Sequence, residues 1–196
     1  MPGSIKIDDG SGNYTILTNA GSLGSDKTIT IPNETATLAT TNGITEADQW
    51  TLTTAVTSNT TVSSNLSRIS TANLAGEALG TGMSVSSGIW TFPSTGYWLV
   101  NVQAAWRTAS NDGCALKIEG TDDNSTYSHI GQINFGKDND GSNIDAVTFG
   151  QVWLKITDTS NDKIRFVTSS IGSGSELRGA PTYNYTSFVF IKVGEV

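Results

Sequence analysis

Few side chains in this sequence could do chemistry. His129 is the only histidine and Cys114 the only cysteine among 196 residues. One chain therefore cannot form an intrachain disulfide, a cysteine-based zinc site or a multi-histidine metal site. We interpret His129 as a strand or loop residue without a catalytic role.

Carboxylates come close together at two places along the sequence. Asp122 and Asp123 are adjacent, and Asp138 and Asp140 lie in a DNDG run. Paired carboxylates can hydrolyse glycosides, and Asp-rich loops can bind Ca²⁺. However, residues 144–151 lack the glutamate that would close an EF-hand loop, and Asp is also common in turns. We predict no catalytic residue and no cofactor, and keep Asp138 and Asp140 as candidate calcium ligands.

Tryptophan rings could instead stack on sugars, and the sequence has five of them. Aromatic residues inside a β-sandwich more often belong to the core. Trp98 and Trp106 share one regular apolar face, which favours the core for both. Trp153 points the other way, together with Gln151 and Lys155, and is therefore predicted as a candidate ligand surface.

Composition excludes two classes of partner. The net charge of −7 would repel phosphate backbones, so no nucleic acid partner is expected. No stretch approaches the roughly 18 apolar residues that a membrane-spanning helix needs, so no membrane insertion is expected. The N-terminus also lacks the apolar core of a signal peptide. We expect synthesis in a cytoplasm-like compartment.

Alternating apolar residues predict an all-β fold. Abundant Thr, Ser, Asn and Gly favour strands and turns over helices. The clearest strand covers 98–106, where every second residue is apolar, as in a half-buried strand. Residues 152–156 and 164–166, separated by a turn at 158–162, are predicted to form an antiparallel hairpin.

The last apolar run, 187–193, is hydrophobic on both faces. Such a strand must be covered on both sides. In a two-layer sandwich one cover is the opposite sheet, and the other must be a second subunit or another element.

The sequence divides into an N-terminal arm, 1–45, and a domain, 46–196. The arm holds short alternating runs separated by Asp-Gly and Ser-Gly turns. Strands this short cannot fold alone, so we predict that the arm docks onto a partner. The apolar residues that would dock are Ile5, Ile7, Ile16, Ile29 and Ile31.

Three segments resemble the tumour necrosis factor and complement globular-head superfamily. They are GIWTFPSTGYWLV at 88–100, KITDTSNDKIRF at 155–166 and NYTSFVF at 184–190. The resemblance implies an antiparallel jelly-roll sandwich that packs as a homotrimer. The interface residues that it implies are Tyr97, Leu99, Tyr185, Phe188 and Phe190.

A second resemblance concerns the arm. The segment GSLGSDKTITIPNETATLA at 21–39 resembles one found in bacteriophage virion proteins, and ITEADQW at 44–50 with GTGM at 80–83 is similar to phage jelly-roll proteins. It implies a virion protein assembled in the host bacterial cytoplasm. The sequence has no Gly-X-Y stalk and no apolar anchor, so signalling and complement roles are not transferred.

Together these features favour a trimeric capsid decoration or cement protein. Its arm would bind the major capsid protein or another virion protein. The alternative is a short head or tail fibre whose jelly roll recognises host surface glycan. A polysaccharide-degrading enzyme is disfavoured because no acid/base pair is evident.

Overall fold

The computed structural model describes residues 5–8, 14–17, 43–68, 77–108, 113–136 and 142–196. The chain separates into two compact units, 1–40 and 41–196. In the first unit, β1 (Ile5–Asp8) pairs antiparallel with β2 (Tyr14–Leu17). A hairpin of this size is marginally stable in water by itself. The predicted docking residues Ile29 and Ile31 lie outside the described residues, as do Asp138 and Asp140.

The second unit is built from strands. In chain order they are β3 (Ala47–Leu52), β4 (Leu66–Ser67), β5 (Ser84–Ser86), β6 (Ile89–Thr91), β7 (Gly96–Thr108), β8 (Cys114–Thr121), β9 (Ser128–Phe135), β10 (Ile144–Ile156), β11 (Lys163–Ser169), β12 (Glu176–Leu177) and β13 (Ser187–Gly194). Among the described residues, no helix is long and apolar enough to cross a membrane.

These strands form two antiparallel sheets that pack face to face. Sheet 1 has the order β10-β7-β13-β3-β4, and β12 also pairs with β7. Sheet 2 has the order β5-β6-β11-β8-β9. Sequence neighbours repeatedly lie in opposite sheets, as in a jelly roll. The predicted all-β jelly-roll sandwich is confirmed.

Strand β7 follows the predicted alternation. Trp98, Val100, Val102, Ala104 and Trp106 are all at most 1% exposed and face sheet 2. Successive side chains of a strand point to opposite faces, so the residues between them lie on the other side of sheet 1. Trp98 and Trp106 are core residues, as the sequence predicts.

An aromatic cluster around Trp90 joins the two sheets. The Trp90 ring lies 4.9 Å from that of Phe190, 5.8 Å from Phe188, 5.9 Å from Phe166 and 5.3 Å from Trp50, measured between centroids. Trp90 and Phe166 come from sheet 2, whereas the other three come from sheet 1. Edge-to-face and tilted pairs of this kind add to the free energy of burial.

The cluster corrects one prediction about the last strand. Phe188 and Phe190 are expected at a subunit interface, but both are 0% exposed inside the sandwich. Alternation instead directs Val189 and Ile191 away from the core. Strand β13 is therefore apolar on both faces, as expected. However, Phe188 and Phe190 lie on the core side, and Val189 and Ile191 lie on the outer side.

The predicted hairpin of 152–156 with 164–166 is also wrong. Strand β10 pairs with β7 in sheet 1, whereas β11 pairs with β6 and β8 in sheet 2. The connection crosses between the sheets, and the Asp162 carboxylate holds it. That carboxylate accepts hydrogen bonds from the backbone N–H groups of Thr157 and Asp158, at 2.6 and 2.9 Å.

Two glycines let the edge strands β9 and β10 meet and close one flank of the sandwich. A side chain at Gly150 would collide with Ile133, and one at Gly131 would collide with Val152. The missing side chains allow a closer approach of the two strands than other residues would permit.

At the opposite end of the strand order of sheet 1, a buried carboxylate links β3 to residues 68 and 83. Asp48 on β3 accepts two hydrogen bonds from Arg68, at 2.7 and 2.6 Å, one from Trp50 Nε1 at 2.8 Å and one from the Met83 backbone N–H at 2.7 Å. The Asp48 side chain is 1% exposed. These partners compensate for its desolvation.

Truncating the aromatic cluster should destabilise the domain strongly. We expect Phe190→Ala to lower the free energy of unfolding by about 3–5 kcal/mol, because it leaves a cavity in a packed core. Urea unfolding followed by tryptophan fluorescence measures the change. Ile130→Ala, at a residue that is 41% exposed, is the control and should cost less than about 1 kcal/mol. Equal losses in both variants would contradict the buried position of Phe190.

Candidate assembly surface

The side of sheet 1 that points away from sheet 2, termed the outer face, displays large apolar side chains. On the edge strand β10, Val147, Phe149 and Trp153 are 49%, 72% and 61% exposed. The neighbouring strands β7 and β13 add half-buried Tyr97, Leu99, Val189 and Ile191. Contiguous apolar surface of this kind marks an interaction site in soluble proteins.

A groove runs across the middle of the outer face. Its volume is about 470 Å³, and none of its lining residues is charged. The lining residues are Gln49, Asn101, Val102, Gln103, Phe149, Gly150, Gln151, Ser187 and Val189. Gln103 is held in place because its Nε2 donates to the backbone oxygens of Asn184 and Tyr185, at 3.1 and 2.8 Å.

A charged cluster lies at one end of the outer face. Asp145 accepts hydrogen bonds from Arg107 at 2.9 and 3.2 Å and from Arg178 at 2.8 Å. The Arg178 guanidinium also lies over the Tyr185 ring, 4.1 Å from its centroid, in a cation–π contact. The hydrogen bond from Arg107 lowers the pKa of Asp145, and the positive charge of Arg178 lowers it further.

Several residues predicted from the sequence meet on this face. Tyr97, Leu99 and Tyr185 lie on it, half-buried. Trp153 is 61% exposed and lies beside Tyr97, with the ring centroids 6.3 Å apart. Its role as a ligand surface stays a prediction. Phe188 and Phe190 are absent from the surface because they fill the core.

Sequence reasoning missed two exposed apolar residues of the surface, Val147 and Phe149. The signal was present as a period of two along β10, where Asp145, Val147, Phe149, Gln151, Trp153 and Lys155 alternate with the residues that face sheet 2.

The other residues considered for chemistry make hydrogen bonds to neighbours in their own turn or strand. Asp123 accepts hydrogen bonds from the Thr121 hydroxyl and from the backbone N–H groups of Ser125 and Thr126. These bonds, above all that from Thr126, lower its pKa and stabilise a turn. His129 is exposed and its Nε2 lies 2.9 Å from the Gly131 carbonyl oxygen. Within the described ranges, no group of three or more acidic, histidine or cysteine side chains could hold a metal ion.

Comparison with known proteins identifies the fold but finds no related sequence. No known protein family matches the sequence, and no curated protein does. The crystal structure of murine APRIL at pH 5.0 is 11% identical with a TM-score of 0.56, and the match covers 76% of this chain and 98% of that one. Eiger TNF from S. frugiperda is 13% identical with a TM-score of 0.53, covering 79% and 96%. The chain therefore contains a tumour necrosis factor-like jelly roll.

The charged cluster should make stability depend on pH. The folded pKa of Asp145 lies below its unfolded value of about 3.9, so its ion pairs stabilise the fold above that pH and are lost as the pH falls through the lowered pKa. Asp145 is half exposed, so Asp145→Asn should cost at most about 1 kcal/mol at pH 7.

Urea unfolding of both chains at pH 7 and pH 2 measures this contribution. The difference between wild type and Asp145→Asn should be smaller at pH 2 than at pH 7, because the carboxylate becomes protonated as the pH falls. It should also shrink in 1 M salt at pH 7, since screening weakens exposed ion pairs. A difference that is unchanged by acid would assign the loss to packing.

Proposed function

We propose that this protein is a non-enzymatic structural protein that assembles as a homotrimer through the outer face of sheet 1. The observation that carries the proposal is the exposure of Phe149 and Trp153, at 72% and 61%, beside the half-buried apolar residues of β7 and β13. Aromatic residues are enriched in the centres of protein interfaces, from which charges are depleted. The uncharged groove between the apolar rows fits that description.

Three copies are favoured over two by the fold. The resemblance to the tumour necrosis factor superfamily implies three-fold packing, and the solved structures support that fold for this chain. Strand β13 supports burial of the outer face in an assembly, because its residues Val189 and Ile191 are apolar on the side away from the core.

We further propose that the trimer is a bacteriophage virion protein, with the arm 1–45 attaching it to the capsid as a decoration or cement protein. The resemblance of 21–39 to phage virion segments supports this role. Attachment would use strand addition, in which backbone hydrogen bonds supply affinity. The marginal stability of the β1–β2 hairpin fits an element that gains from a partner sheet, and three arms per trimer would raise the avidity.

Charge substitution on the outer face tests the assembly. We expect wild type at three times its chain mass of 20.6 kDa in sedimentation equilibrium and Trp153→Asp as a monomer, because a buried unpaired carboxylate opposes association. Ile130→Asp is the matched control, since it places the same charge at an exposed apolar residue of β9, which belongs to sheet 2. It should remain trimeric. A trimeric Trp153→Asp chain would exclude this surface.

Deletion of the arm tests attachment. We expect a chain lacking 1–45 to keep the trimer mass and to lose co-sedimentation with phage capsids, because the docking strands are gone. Full-length protein added to the same capsids is the control. Retained binding by the shortened chain would assign attachment to the jelly roll.

A second candidate function is recognition of host surface glycan by a short fibre. It is favoured by the exposed Trp153 ring beside Tyr97, with Gln151 and Lys155 next to it on the same strand face. Aromatic rings offer an apolar surface for sugar stacking. A glycan array on the intact protein, with and without Trp153→Ala, distinguishes this function from assembly. A trimer that buries Trp153 would leave its ring inaccessible to a sugar.

A further inference from the structure

We infer that a cavity in sheet 2, where β8 begins and β9 ends, binds a neutral sugar. The inference rests on the second candidate function, recognition of host surface glycan, and assigns that function a site other than Trp153.

This cavity, termed the β8–β9 cavity, has the size of a ligand site. Its volume is about 650 Å³, and small-molecule sites span roughly 300–1,000 Å³. Its floor includes Ala115, which alternation places on the side of sheet 2 away from the core, because the next residue, Leu116, is fully buried. Ala115 pairs with Asn134 on β9, so the cavity reaches the edge strand.

Two amide side chains form the polar wall of the cavity. Gln132 and Asn134 are both exposed and lie two residues apart on β9, on the same face of the strand. Gln132 Nε2 donates a hydrogen bond to Asn134 Oδ1 at 2.5 Å. This bond orients both amides, and each keeps further donors and acceptors. Neighbouring hydroxyls of a sugar both donate and accept, so they suit such a pair.

Apolar side chains form another part of the lining. Phe135 and Ile171 are half-buried and pack against the core cluster. A sugar ring carries C–H groups as well as hydroxyls, and an aromatic or aliphatic surface accepts the C–H groups. The combination of apolar carbon with an amide pair therefore fits a carbohydrate better than a purely apolar ligand.

The wall opposite β9 is held in place by hydrogen bonds. The Ile171 backbone N–H donates to Asn59 Oδ1 at 2.8 Å, and the Ser175 N–H donates to the Gly172 oxygen at 3.0 Å. Ser170 has a φ of 58°, which is uncommon outside glycine and is found at binding sites. A preformed wall lowers the entropic cost of binding.

Charge favours a neutral sugar over an acidic one. No lining residue of the β8–β9 cavity is acidic or basic. The carboxylate of an acidic sugar would find no cationic partner there, and the net charge of −7 would repel it. Hydroxyls need only the amide and backbone groups that the cavity offers.

The location is compatible with the proposed assembly. The β8–β9 cavity is formed by strands of sheet 2 and the segment after β11, whereas the proposed trimer forms through the outer face of sheet 1. A trimer would therefore cover Trp153 and leave this cavity open.

Removal of the amide pair tests the site in the full-length protein. A glycan array that carries neutral and acidic oligosaccharides identifies the sugar, and isothermal titration with the soluble form of the best neutral one measures its affinity. We expect the double variant Gln132→Ala, Asn134→Ala to bind it about tenfold more weakly or worse, because the lost hydrogen bonds favour the bound state. Trp153→Ala should bind like wild type.

Asn161→Ala is the matched control. It removes an exposed amide that donates to Asp158, in the connection between β10 and β11. That connection lies at the opposite end of sheet 2, since Lys163 pairs with Thr121 at the end of β8. Its affinity should equal that of wild type. Thermal melting checks that each variant is folded, and Asn134→Ala alone replaces the double variant if that chain is not.

The contrary outcomes are distinguishable. Loss of binding in Trp153→Ala with full binding in the double variant would overturn the β8–β9 cavity and leave glycan recognition standing. Equal losses in the double variant and Asn161→Ala would also overturn this site. Binding of acidic glycans alone would refute the neutral class. A chain that binds no glycan on the array would refute both the inference and the second candidate function.

Discussion

The aromatic packing around Trp90 determines which residues this domain shows to its surroundings. Phe188 and Phe190 meet Trp90 between the sheets at centroid distances of 5.8 and 4.9 Å. Because a strand alternates its side chains, burying these two rings directs Val189 and Ile191 outward. The same constraint acts on β7 and, through its pairing with β7, on β10. The core and the outer face are therefore two consequences of one packing arrangement.

The charged side chains described above support the fold, and they lie outside the groove. Asp48, Asp123 and Asp162 satisfy backbone N–H groups, and Asp145 pairs with Arg107 and Arg178 at one end of the outer face. The groove residues carry no charge at all. An acidic protein thus has an uncharged area on the outer face of sheet 1, where association costs little electrostatic energy.

The sequence predicts the sandwich and its best strand but not the composition of the outer face. Strand β7 is clear because every position from 98 to 106 on one face is apolar, whereas Asn101, Gln103 and Arg107 interrupt the other face. Strand β13 is apolar on both faces, so its sequence does not indicate that Phe188 and Phe190 face inward. Strand β10 is misleading for the opposite reason. Its inward residues Ala146, Thr148 and Gly150 are less hydrophobic than the outward Val147 and Phe149, because the core there is filled by Ile133 from β9.

The contact of Gly150 with Ile133 also constrains how this protein can evolve. Position 150 has no room for a side chain while position 133 holds a branched one. A lineage can enlarge residue 150 only after it has shortened residue 133, so the two positions should change together among descendants. Phe149 adjoins Gly150 in sequence, so a change at Ile133, a buried position on the opposite sheet, would shift the strand that carries Phe149 on the outer face.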